Sequence, residues 1–176
     1  MKATFPIRFA AAGACLLSLA GCLSSPNPAP AVARDSTPPA QRWAAVQQAA
    51  GADDTELSVQ PLRDPQVEDL REQATALREA GNLAGAAAAL DQALGLVDGD
   101  PAVLQERAEI ALLQGQWQQA EQWSRQALAL GSRTGPLCRR HWATIEQARL
   151  ARVEPENAAS AHAQIETCTV PGIKRY

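Results

Sequence analysis

Between Val67 and Thr134 the chain repeats itself with a spacing of 34 residues, and this period limits the possible folds more than any other feature. Gly81 recurs as Gly115, Ala86 as Ala120, Ala93-Leu94 as Ala127-Leu128 and Leu96 as Leu130. Upstream, Leu70, Glu72 and Ala74 recur as Leu104, Glu106 and Ala108. A fixed period of this length is the mark of stacked helical hairpins, each unit burying the apolar face its neighbour exposes.

The repeated residues have separable physical roles. Gly81 and Gly115 stand where a first helix must end in a left-handed backbone, which glycine adopts at least cost. Five residues later Ala86 and Ala120 allow the two helices of a hairpin to approach closely. Leu90, Leu94 and Val97, then Trp117, Ala120, Ala127 and Leu128, fall at helical spacing. In these positions the chain resembles the tetratricopeptide (TPR) family, whose repeat has the same length and order of small and large residues. The resemblance is strong over 67 to 134 and weak over 135 to 168. Leu70 and Leu104 replace the opening aromatic, Ala74 and Ala108 a glycine, and Asp98 and Ser132 the closing proline. It implies an all-α fold, a short TPR-like solenoid of two repeats spanning 64–134.

Composition agrees with helices packed closely. Hydrophobic residues make up 46% of the chain but aromatics only 4%, too few large side chains for a sheet core. The formal charge of -3 includes Lys2 and Arg8, so the part from Cys22 onward carries -5. An acidic chain has little affinity for a phosphate backbone, and no nucleic-acid partner is expected.

Residues 1–21 read as a signal segment: Lys2 and Arg8 give a charged start, and Phe9 to Leu19 an apolar run too short to span a bilayer. The run closes on Leu19-Ala20-Gly21-Cys22, which resembles a bacterial lipobox. That resemblance implies cleavage before Cys22, a diacylglycerol on its thiol and an N-acyl chain such as palmitate. Several acyl chains give the stable anchoring that one cannot. Leu23 follows the anchor where aspartate would retain it at the inner membrane, which implies the outer membrane, facing the periplasm.

Residues 22–63 form a Pro/Ala-rich linker. Pro26, Pro28, Pro30, Pro38 and Pro39 keep its first part extended, with a reach on the order of 50 Å at about 3.1 Å per residue. Thr37 as cap, Pro38 in the first turn, and Trp43, Val46 and Ala50 on one side support a short helix at 38–50, or an arm that is helical only transiently. Residues 52 to 62 alternate like a strand without a partner and read as a linker or as a segment lying along the array.

Asp64-Pro65 and Asp100-Pro101 each pair a capping side chain with a proline suited to the first helical turn. Helices are predicted at 65–80, 83–97, 101–114 and 117–130. Residues 135–176 supply a third hairpin or capping unit and a tail, with Glu154-Pro155 as the break between its helices.

With Cys15 in the signal and Cys22 at the anchor, Cys138 and Cys168 remain. Their midpoint is residue 153, beside the expected turn, so an antiparallel hairpin brings the thiols together as a disulfide. A zinc site of Cys138, His141, His162 and Cys168 is the rival, but His162 lies about 9 Å along the helix from Cys168 and on another face. No metal or cofactor is expected apart from the acyl groups.

Nothing in the chain forms an enzyme constellation: there is no phosphate loop, nucleophile elbow or His-Glu-x-x-His helix. By the TPR resemblance, the functional surface is the concave face of the first helices. There Arg71, Thr75 and Arg78 of one unit and Gln105, Glu109, Leu112 and Leu113 of the next would line a groove for an amphipathic helix or extended peptide. The expectation is a non-enzymatic, lipid-anchored adaptor that holds an envelope protein. The alternatives are a structural lipoprotein tying the outer membrane to peptidoglycan and an assembly factor for a secretin or pilus.

Overall fold

A computed structural model describes residues 35–51 and 64–169, all within a unit spanning 33–176. Seven helices account for nearly all of them: α1 Pro39–Ala50, α2 Pro65–Glu79, α3 Leu83–Leu96, α4 Pro101–Leu113, α5 Trp117–Leu130, α6 Gly135–Ala151 and α7 Pro155–Thr167. The fold is all-α. The signal segment, the lipobox Cys22, residues 52 to 62 and the tail beyond 169 lie outside the described residues.

The helix starts follow from side-chain chemistry. The Asp64 carboxylate accepts the Gln66 N–H at 2.8 Å, and Asp100 accepts those of Ala102 and Val103 at 2.8 and 3.2 Å. Each bond satisfies a donor the first helical turn leaves without a partner. Asn82 does the same for Gly85 at the start of α3. At α1 the capping position falls on Pro38 and not on Thr37, and no side chain caps it. Thr37 instead donates its N–H to Asp35 at 3.0 Å.

Pairs α2/α3, α4/α5 and α6/α7 form three antiparallel hairpins, and α3 packs on α4 and α5 on α6 to stack them. Ala86 and Ala120 are wholly buried, as are Ala93 and Ala127, so the repeated small residues are contact points between helices. One apolar cluster lies among α2, α3 and α4 around Val67, Leu90, Val103 and Ile110. The other joins Val46 of α1 to Leu112, Ala120, Ala143 and Ala148. Burying a leucine such as Leu90 or Leu112 contributes about 2 kcal/mol each.

The third hairpin bends as the first two do, but through a different residue. Gly81 and Gly115 turn at φ 77° and 73°, and Val153 turns at φ 60°. A disulfide joins Cys138 and Cys168 across the open end of this hairpin, with Cα atoms 5.7 Å apart. The Gly135 N–H donates to the Cys168 carbonyl at 2.7 Å and fastens the same end.

Candidate functional site

α1 lies across α6 and α4, on the concave side that the first helices of the hairpins would otherwise leave open. Only Val46 and Arg42 of this helix are fully buried. Val46 enters the second apolar cluster, and the Arg42 guanidinium sits over the Trp117 ring at 5.6 Å. Arg42 also donates to the Gln147 carbonyl at 3.2 Å and pairs with Asp35 at 2.7 Å. Its hydrogen bond, with those from Thr37, draws the Asp35 carboxyl down to about 2. At the other end Arg139 of α6 donates to the carbonyls of Ala49 and Ala50. A cation is favourable there because the last carbonyls of a helix lack partners within it.

The centre of this docking is Glu109, 5% exposed. It accepts from Trp43 Nε1 at 3.1 Å and Gln47 at 2.8 Å on α1, from Gln105 at 2.9 Å on α4, and from Arg140 at 2.8 Å on α6. A buried carboxylate is tolerable only when paired and fully hydrogen-bonded, and three helices supply those partners. Gln105 extends the network inward: it also donates to Thr144 Oγ1 at 2.8 Å and meets His141 Nδ1 at 2.6 Å. Burial, with the Arg140 charge close by, pushes His141 down to about 3, so the ring is neutral. Its Nδ1 therefore carries the proton and donates to the Gln105 carbonyl oxygen.

A second buried carboxylate, Glu121, ties α5 to α6. It accepts from Arg125 at 2.9 Å, Arg149 at 3.0 Å and Arg152. Burial alone would raise its pKa, but the bonds from Arg152, Arg125 and Arg149 lower it overall.

The groove expected from the repeats is thus divided. Gln105, Glu109 and Leu112 are inside the fold, Gln105 and Leu112 fully so: α1 covers Glu109 and Leu112, and Gln105 is enclosed through Ser124 of α5 and His141 and Thr144 of α6. Leu113 is half-buried and packs against the first apolar cluster. Arg71, Thr75 and Arg78 remain on an open cleft of about 130 Å³. Its walls are α2 and α1, its floor is α4, and Trp43, Gln47 and Arg140 complete it. Sequence reasoning missed Trp43 and Gln47. Their signal was present, since Trp43 and Val46 share the apolar side of the predicted short helix, but nothing in the spacing pointed to α4 as their counterpart.

The charges in the cleft are arranged, not scattered. Arg71 bonds Glu106 at 2.9 Å and Glu68 at 2.8 Å, and these bonds hold it charged. The Arg78 guanidinium lies over the face of Trp43, 4.7 Å from the ring centre. The cleft continues as a shallower depression of about 320 Å³ along α2, lined by Glu68, Glu72, Thr75 and Glu79. The zinc set is not assembled: both thiols are in the disulfide, and His162 pairs with Glu146 at 3.0 Å.

Hairpins stacked at this spacing, with a helix of the same chain laid on the concave face, define a helical-repeat domain. The globular C-terminal domain of P. aeruginosa LpoP is similar to it, with 31% sequence identity and a TM-score of 0.56. The match covers 60% of this chain and 99% of that one, and the chain belongs to the family of that domain. No protein-family model matches the chain. No curated protein matches it either.

Proposed function

We propose that this chain is a non-enzymatic lipoprotein of the bacterial cell envelope, anchored in the outer membrane through Cys22. It carries its helical domain across the periplasm to the wall and docks there on a protein that builds peptidoglycan. The reading rests on one observation: a domain of the LpoP C-terminal family stands behind a lipobox and a proline-rich tether. A tether reaching on the order of 50 Å brings the domain from the membrane surface toward the wall. The buried carboxylates of Glu109 and Glu121 are committed to structural bonds between helices, which supports a domain that acts by presenting a surface.

The test is photo-crosslinking in intact cells from Thr75 and Gln73, both exposed on α2. The expected result is a crosslink to a peptidoglycan synthase, lost when Cys22→Ser prevents anchoring. Crosslinks to no protein, with the domain sedimenting on purified sacculi alone, would replace this reading with a passive membrane-to-wall tie.

A further inference from the structure

We infer that the cleft between α1 and α2 is the docking surface, and that it receives an arginine-bearing extended segment of the partner protein. This deepens the proposed function and rests on it. The α1 wall is an aromatic face with a fixed orientation: Trp43 is held through its indole N–H by Glu109 and cannot turn away without breaking that bond. A guanidinium already lies on that face, but it belongs to Arg78 of the same chain. Arg78 is weakly committed elsewhere: among the described residues its ion pair is with the exposed carboxylate of Glu79 at 3.2 Å. An indole face attracts a cation through its quadrupole, and Arg stacks on it flat.

The rim adds charge of the matching sign. Glu72 carries no ion pair among the described residues, and Glu79 is bound only to Arg78. Arg71 is neutralised by Glu68 and Glu106, and Arg140 by Glu109, so the cations inside the cleft do not oppose an incoming one. A partner arginine can take the place of Arg78 over Trp43, with Glu79, the present partner of Arg78, beside it and Glu72 further along the adjoining depression. The open depression along α2 has room for the backbone to continue past Thr75. An acidic segment would instead meet the rim carboxylates unpaired.

The test uses the full chain in detergent and fluorescently labelled peptides of alternating Gly and Arg, with Gly/Lys and Gly/Glu peptides of equal length, read by anisotropy. The Arg peptide should bind, the Lys peptide more weakly and the Glu peptide not at all. Arg78→Ala vacates the aromatic face and should tighten Arg-peptide binding about two- to fivefold. Glu72→Lys should weaken it about three- to tenfold. Both positions lie on the open face of α2, and an unchanged melting temperature verifies their folding. The inference is overturned if no peptide binds, if the Glu peptide binds as well as the Arg peptide, or if Arg78→Ala leaves affinity unchanged or weakens it. The adaptor reading survives that failure if cell crosslinks to a peptidoglycan synthase arise from another face, and falls separately if none arise.

Discussion

Trp43 donates its indole N–H to Glu109 at 3.1 Å, joining residues 66 positions apart and fastening α1 to the stack of hairpins. The bond gives one carboxylate two tasks. Glu109 closes the concave face over α4 and α6, and it also fixes the ring that forms the α1 wall of the open cleft. Loss of this residue should therefore act on stability and on the surface together.

Glu109→Ala leaves Arg140 and the Trp43 indole N–H without their acceptor in a covered site. Breaking a buried pair from one side costs about 3 kcal/mol or more, whereas Trp43→Phe, which removes one hydrogen bond, should cost about 1 kcal/mol. Thermal melts give the two magnitudes. Amide exchange should show α1 losing protection in Glu109→Ala well before α4 and α5 do, and equal loss across all helices would contradict the clasp.

His141 sets a pH dependence whose sign is fixed. Its pKa lies at about 3 in the folded state, below the ordinary 6.5, through burial and then the nearby Arg140 charge. Between these values the unfolded chain binds a proton that the folded chain does not, so stability falls as pH drops below 6.5. From pH 7 to pH 5 the loss should be about 2 kcal/mol. Chemical denaturation at several pH values measures it, and His141→Leu should flatten the slope. The lowered pKa of Glu121 acts in a separate, more acidic window. Its contribution is present above the ordinary value of 4.5 and lost as pH falls below it.

The disulfide closes a loop with a sequence separation of 30. Cutting it with reductant, or by Cys138→Ala with Cys168→Ala, should cost about 2 to 4 kcal/mol, since the unfolded chain regains the entropy the crosslink removes. α7 is the last helix among the described residues and packs chiefly on α6, so its amides should lose protection first. A melting temperature insensitive to reductant would argue against this contribution.

What the sequence revealed, and what it concealed, follows from which contacts are local. Gly81, Gly115, Asp64 and Asp100 act within a turn of their own helix, so they announce hairpin and helix ends without reference to anything distant. The burial of Glu109 and Leu112 depends on α1, whose Trp43 meets Glu109 from 66 residues away along the chain, and that of Gln105 on α5 and α6. The buried face of α1 reads poorly because it mixes Val46 with Arg42, whose charge is accommodated by Trp117, Gln147 and Asp35. Repeats with an open groove and repeats covered by their own helix therefore share one pattern, and only the packing separates them.

The third hairpin turn gives the remaining expectation. Val153 holds φ 60° where the first two hairpins place Gly81 and Gly115 at φ 77° and 73°. A β-branched residue in this region crowds its own carbonyl and costs on the order of 1 kcal/mol or more, while glycine has no such penalty. Val153 is 41% exposed, so replacing it gives up little apolar burial. Val153→Gly should therefore raise stability by about 1 kcal/mol, and the melting temperature by a few degrees for a domain of this size. Gly115→Val, which moves the same strain to the second turn, should lower it by a similar amount. If Val153→Gly destabilises the chain instead, the side chain contributes more at that turn than its backbone conformation costs.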